Sequence, residues 1–169
     1  YAAAGSDARM NGCELPVVIN SGSGNQGLTV SVPLIIYAER EHLDKEKLYR
    51  ALVISNLTAI HLKTEIGRLS AFCGAVSAGA ACGAGLAYLK DASEEVMNHT
   101  IVNALAITSG IICDGAKASC AAKIAVSVEA GILGYDMYMN GQQFYGGDGI
   151  ISKGIENTIH NIGVLGLSL

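Results

Sequence analysis

Apolar positions recur with helical spacing along most of the chain. In the segment from Asp44 to Gly67, Leu48, Leu52 and Ile60 fall near one stripe, and the charged residues occupy other faces. Asp44 is well suited to cap the start of this helix. No segment shows the strict alternation of a half-buried strand. The pattern therefore predicts a mainly α fold, a multi-helix bundle-like domain that covers residues 1–169.

Residues that typically begin or end helices mark the bounds of the remaining helices. We expect a helix over residues 1–11, one after the glycine-rich segment 20–27, one after a serine cap, a long helix near residue 116, and a final helix. A proline in the second of these should kink it or mark its first turn. The residues that set these expectations are Asn11, Gly12, Pro33, Ser93, Ala116 and Ser152.

The apolar run 71–89 is rich in small residues. Ala75, Gly79 and Gly83 are spaced by four, which leaves one helix face almost bare and permits close approach of another helix or of a bulky cofactor. The run is uncharged and long enough to span a bilayer. Its alanine and glycine content gives only a weak gain on entering lipid, which favours a buried core helix. A small membrane-embedded protein stays the alternative.

The composition indicates a large core with little polar surface to cover it. Hydrophobic residues make up 50% of the chain and charged residues 15%, against about 25% in typical domains. We therefore expect a partner segment or a second subunit to cover part of the apolar surface. The net charge of −4, without a basic patch, gives no reason to expect nucleic acid.

Four of the five cysteines lie between residues 68 and 120. An odd count without a visible secretory signal favours reduced thiols in a cytoplasmic enzyme. Cys73, Cys113 and Cys120 are too widely spaced for the paired motifs of a zinc ribbon, but three separate thiolates could hold an iron–sulfur cluster. Burial as small apolar residues is the alternative for all three. We interpret Cys82 as a core residue.

The segment Asn20 to Gly27 reads NSGSGNQG and feeds directly into a helical pattern. Such a loop presents free backbone N–H groups to an anion, and the helix dipole aids binding. It matches neither the P-loop nor the dinucleotide fingerprint, so an ordinary flexible turn remains open. His61 and Glu65 are four residues apart in the helix predicted between Asp44 and Gly67, and His61 is a candidate general base or a structural histidine.

Together these motifs resemble the iron–sulfur L-serine dehydratase alpha-chain family, and most closely its branch of L-cysteine desulfidases. The matching pieces are SGSGNQG at 21–27, KTEIGRLSAFCG at 63–74, GIICDGAK at 110–117, CAAK at 120–123 and ENTIHNIG at 156–163. They are spread over nearly the whole chain. Members of the family are longer, so the resemblance implies that residues 1–169 form the C-terminal part of a longer catalytic chain, cut or diverged after the last motif.

The resemblance implies a [4Fe–4S] cluster that three cysteines hold while one iron stays open for substrate. The matching ligands are Cys73, Cys113 and Cys120. The family's glycine-rich loop lies at the active site, and here it comprises Ser21, Gly22, Ser23, Gly24, Asn25, Gln26 and Gly27.

The implied reaction is β-elimination from a small amino acid. L-Cysteine would give pyruvate, ammonia and hydrogen sulfide, and the alternative substrate, L-serine, would give pyruvate and ammonia. Arg68 is the expected carboxylate partner, beside the amides of the glycine-rich loop. The candidates for the base that removes the α-proton are, in order, Lys117, Lys123, Lys63 and His61.

No lysine and phosphate-loop arrangement suggests pyridoxal phosphate. A non-catalytic iron–sulfur or metal-binding module is the remaining alternative, since such a module would need neither an open iron nor the glycine-rich loop.

Overall fold

The computed structural model describes residues 1–67 and 70–168 and confirms the mainly α prediction. Within these residues, the β-type pairings are two isolated bridges, Asn20 with Ser23 and Phe72 with Ile112. The helices of the described part are α1 (Ala2–Met10), α2 (Gly24–Arg40), α3 (Lys45–Ile66), α4 (Gly74–Leu89), α5 (Glu94–Thr108), α6 (Cys120–Met139) and α7 (Ile155–Ser168).

Two predicted caps form as expected. The Asp44 carboxylate accepts a hydrogen bond from the Glu46 backbone N–H at 2.9 Å, at the start of α3. The Ser93 hydroxyl accepts one from the Val96 N–H at 3.4 Å, at the start of α5. Short polar side chains at these positions satisfy N–H groups that the first helical turn leaves without partners.

Three helices begin or continue differently from the prediction. Helix α2 begins at Gly24, inside the glycine-rich segment, and Pro33 lies in its interior rather than in its first turn. Helix α6 begins at Cys120 rather than near residue 116, because Gly115 adopts a φ of +100° and the chain turns once more before the helix starts. Helix α7 begins at Ile155, three residues later than expected.

Helix α4 is the centre of the fold and is buried along nearly its whole length, packed against α2, α3, α5 and α6. The small residues of its bare face meet α6. A Cβ on Gly79 would lie 2.4 Å from the Ser127 carbonyl oxygen, and one on Gly83 would lie 2.9 Å from the Gly131 Cα. The predicted close approach is therefore made by a helix. None of the helices in the described part has both the length and the apolar character of a membrane span.

The contacts of α4 with α2 and α6 show that these three helices run in the same direction. Gly79 faces Ser127 and Gly83 faces Gly131, so the residue numbers of α4 and α6 rise together. On the α2 side, Gly74 faces Gln26, whereas Gly85, later in α4, faces Leu34, later in α2. Since all three helices are parallel and in similar register, their N-terminal turns lie at the same end of the bundle.

Candidate active site

A short antiparallel contact brings two of the predicted ligands together. The Cys73 N–H donates to the Ile111 carbonyl at 3.3 Å, and the Cys113 N–H donates to the Ala71 carbonyl at 2.6 Å. Phe72 is thereby paired with the residue before Cys113, which makes Cys73 and Cys113 diagonal neighbours on one side. Such neighbours lie roughly 7 Å apart in an antiparallel pair.

The third predicted ligand joins them from α6. Cys120 is the first residue of that helix, and its Sγ lies 3.5 Å from the Lys117 backbone nitrogen. All three cysteines line one cavity of about 520 Å³. The cavity is also lined by residues of the glycine-rich loop and by two lysines, and the full lining is Ser23, Asn25, Gln26, Lys63, Ser70, Ala71, Phe72, Cys73, Gly74, Ala75, Cys113, Gly115, Ala116, Cys120 and Lys123.

The N-terminal turns of α2, α4 and α6 all open onto this cavity. Their cap residues are Ser23, Cys73 and Ser119. Neither serine side chain accepts a hydrogen bond from its own helix, whereas the Cys73 sulfur faces the N–H groups of Ala75 and Val76. Uncapped first turns leave backbone N–H groups available, and each helix end carries about half a positive charge. The end of the bundle that holds the thiols is therefore suited to negative charge.

Burial and hydrogen bonding act in opposite directions on the Cys73 thiol. Burial raises its pKa, and the backbone N–H groups of Ala75 and Val76, directed at the sulfur, lower it. Because metal binding requires the thiolate, these N–H groups favour the form that a metal would take. Cys82, by contrast, is fully buried away from the cavity lining, and burial raises its pKa to about 12. Its surroundings agree with the interpretation as a core residue.

Two lysines face the cavity in different states. Lys63 is only 6% exposed, and burial lowers its pKa, although nearby Cys113 and Cys73 partly oppose that shift. The Lys123 ammonium donates to the Ile112 carbonyl at 2.9 Å and to Asp114 Oδ1 at 2.8 Å. The hydrogen bond to Asp114 raises the pKa of Lys123. Lys63 is thus the more easily deprotonated of the two.

The first-ranked base candidate lies at the edge of the site. Lys117 is exposed and is paired with Asp114. It is not one of the described residues that line the cavity. Hydrogen bonds from Lys117 and Lys123 hold the pKa of Asp114 well below its usual range. Asp114 therefore acts as a bridge that orders both lysines.

The two amide residues of the glycine-rich loop have different surroundings. The Asn25 side chain turns toward α1, where its Oδ1 accepts from Arg9 at 3.0 Å and its Nδ2 lies 3.7 Å from the Met10 sulfur. Gln26 is 6% exposed and lies against Gly74 in the cavity wall, and its buried Oε1 has no partner among the described residues. An unpaired buried acceptor of this kind points to a ligand or water in the cavity.

The structure does not bring His61 to the cavity. This residue lies on the exposed side of α3, where its Nε2 is 2.9 Å from Glu156 of α7. Arg68, the predicted carboxylate partner, lies outside the described residues.

The donor set fits a cluster better than a single metal ion. Among residues 1–67 and 70–168, no group of three or more His, Cys, Asp and Glu side chains could hold one ion. An iron–sulfur cluster instead takes one cysteine on each of several irons, so its ligands are spread apart. The cavity and its positive helix ends suit such an anionic group.

Lys63, the third of the base candidates proposed from the sequence, is buried in the cavity wall. The sequence pattern indicated this burial, because Lys63 falls in the buried stripe of α3 with Ala59, Leu62 and Ile66. A lysine in an apolar stripe is rarely buried without a functional or pairing reason. The link from Arg9 to Asn25 had no local signal, since it joins residues that lie sixteen positions apart.

Comparisons with known proteins agree with the resemblance found in the sequence. The family model of the serine dehydratase alpha chain matches residues 1–168. A UPF0597 protein of Desulfitobacterium hafniense is 69% identical over 165 residues, which are 98% of this chain and 38% of that protein. UPF0597 proteins of Finegoldia magna and Fusobacterium nucleatum are 58% and 48% identical over 96% and 98% of this chain, which are 39% of each relative. The chain thus spans well under half the length of these relatives. No solved structure matches it.

Proposed function

Because the chain belongs to the serine dehydratase alpha-chain family, we propose that it carries the core of an iron–sulfur lyase that eliminates the β-substituent of a small amino acid. We propose L-cysteine as the substrate, on the resemblance to the desulfidase branch. The name of the matching family favours L-serine as the second candidate. The observation that carries the proposal is the meeting of three cysteines and three helix N-termini at one cavity.

The proposed cluster ligands are Cys73, Cys113 and Cys120, which come from the start of α4, the bridge segment and the start of α6. When bound, the cluster would supply a Lewis-acidic iron that makes the thiol or hydroxyl of the substrate a better leaving group. The chain's own part is to hold three thiolates at a positively polarised end of the bundle, where the helix dipoles stabilise them.

The first turn of α2 is the proposed carboxylate site. The N–H groups of Gly24, Asn25 and Gln26 precede the first helical hydrogen bond and face the end of the bundle that holds the thiols. The Gln26 amide adds a polar group on the same wall, and Arg68 is a further proposed partner of the carboxylate. A substrate carboxylate held here would stand beside the leaving-group site, because Gln26 lies against Gly74, the residue after Cys73.

Lys63 is the base that the geometry favours. Its burial in the cavity wall supports removal of the α-proton by its neutral amine, since a general base must be free of a proton and within reach of substrate. Lys123, held by Asp114, is better suited to remain a cation that stabilises developing negative charge. Lys117 and His61, proposed from the sequence, lie outside the cavity lining in the described part of the chain.

The reaction proposed for L-cysteine breaks the Cα–H and Cβ–S bonds. The proton goes to the base, the sulfur leaves as hydrogen sulfide, and the resulting enamine tautomerises and takes up water to release ammonia and pyruvate. For L-serine, the leaving group is water. We propose a cytoplasmic location, with the rest of a longer chain or a second subunit covering apolar surface.

The test uses the whole native gene product that carries this sequence, purified and reconstituted without oxygen. Iron and acid-labile sulfide are measured first, and pyruvate and sulfide are then followed with L-cysteine and with L-serine. Pyruvate and sulfide in equal amounts from L-cysteine support the first assignment, and pyruvate from L-serine alone supports the second. A protein that binds iron and sulfide and turns over neither substrate would be a non-catalytic cluster module.

A further inference from the structure

A side chain outside the cavity holds the glycine-rich loop in place. Arg9 lies in the last turn of α1 and crosses to the first turn of α2, where its Nη1 donates to Asn25 Oδ1 at 3.0 Å. The guanidinium also lies close over Gly24, since a Cβ there would be 3.0 Å from Arg9 Nε. Glycine is therefore the residue type that leaves room for this contact at position 24.

The link to α1 occupies the Asn25 side chain fully. Its amide oxygen accepts from Arg9, and its amide nitrogen points to the Met10 sulfur at 3.7 Å. Asn25 is 6% exposed, so its side chain is enclosed where these contacts form. The loop therefore presents its backbone N–H groups and the Gln26 amide to the cavity. The oxygen of that amide is buried and has no partner among the described residues.

Arg9 lies between two helix ends with opposite effects on its charge. The C-terminal turn of α1 favours a cation, and the N-terminal turn of α2 disfavours one. Among the described residues, no carboxylate lies within ion-pair distance of Arg9, whereas Arg50 and Lys47 have such partners. An anion bound at the first turn of α2 would place a negative charge near this cation.

We propose that Arg9 is a positioning residue for the substrate carboxylate, acting through Asn25 to aim the first-turn N–H groups of α2. This inference rests on the function proposed above. Arg9 does not line the cavity and would not touch substrate, so its effect passes through the loop. Because the carboxylate is bound alike before and during reaction, loss of the link should raise KM and leave kcat nearly unchanged.

The decisive experiment is a double-mutant cycle in the whole native gene product. Arg9→Met and Asn25→Ala are each expected to raise KM about tenfold, the scale of one hydrogen bond to a charged group. If Arg9 acts through Asn25, the double variant should be no worse than the worse single variant. Additive effects would overturn the proposal, as would an Arg9→Met variant with native KM.

Arg40→Met is the matched control. Arg40 lies at the opposite end of α2, where its guanidinium stands 5.8 Å from the Tyr1 ring centre, far along the helix from the loop. Equal losses of thermal stability in the two arginine variants, with a raised KM only in Arg9→Met, would separate positioning from general stabilisation. A raised KM in both variants would overturn the assignment.

Hydrogen exchange of the metal-free protein gives a readout that needs no turnover. In Arg9→Met, the peptide that covers residues 20–30 should exchange faster, whereas peptides of α5 and α6 should not change. Faster exchange in a protein that turns over no amino acid would support the Arg9 link and count against the proposed function. Unchanged exchange in that peptide would overturn the link itself.

Discussion

Gly83 of α4 and Gly131 of α6 approach so closely that a Cβ on Gly83 would lie 2.9 Å from the Gly131 Cα. One turn nearer the N-terminus, Gly79 stands against Ser127 in the same register. This contact matters to the site because Cys73 and Cys120 lie six and seven residues before Gly79 and Ser127. The close parallel packing therefore aligns the two thiols at one end of the bundle.

We expect Gly79→Ala to destabilise the fold and weaken iron binding. The new methyl group would meet backbone at 2.4 Å, which the helices cannot relieve without moving apart. Such overpacking costs about 1–3 kcal/mol of unfolding free energy. Gly110→Ala is the control, because nothing lies within 4 Å of its Cβ position. Chemical denaturation and iron analysis measure both effects, and equal behaviour of the two variants would refute the packing argument.

Cys113→Ala should lose most of the iron, whereas Cys82→Ala should keep it. Cys113 lines the cavity with two other thiols, and Cys82 is fully buried elsewhere with a pKa raised to about 12. Iron and sulfide are measured after anaerobic reconstitution of each variant. Equal loss from both would mean that the wrong thiols have been assigned.

Lys63→Met is expected to lower kcat by about 10²-fold or more, the usual contribution of a general base. Lys117→Met removes a lysine that is exposed and paired with Asp114, and should leave kcat close to the native value. Steady-state kinetics on both variants, at equal iron content, compares the two candidates. A large loss in Lys117→Met with little change in Lys63→Met would restore the order that the sequence suggested.

Gly24→Val should weaken substrate binding and leave the cluster intact. A Cβ on Gly24 would lie 2.4 Å from the Val17 side chain and 3.0 Å from Arg9 Nε, so valine would push the first turn of α2 out of place. A single-turnover experiment at varied amino-acid concentration measures the affinity. Native affinity in this variant would reduce the loop to a plain turn and leave the catalytic argument on the cysteines.

The local sequence determined the helices and several of the residues at which they begin or end. Asp44 and Ser93 cap their helices as predicted, because a short polar side chain satisfies nearby N–H groups wherever the rest of the fold lies. The small-residue face of α4 could also be predicted from the sequence, since a spacing of four defines one side of a helix before any partner is known. The three cysteines and the glycine-rich loop were also singled out from the sequence.

Tertiary structure alone decided how those motifs are used. The burial of Lys63 depends on what packs against the end of α3, and the turn of Asn25 toward Arg9 depends on where α1 lies. The short pairing of Phe72 with Ile112, which sets Cys73 beside Cys113, joins segments forty residues apart. Periodicity reports which face of a helix is apolar, but it carries no information about which element covers that face. The proposed order of the bases and the proposed role of Arg9 therefore rest only on the packed fold.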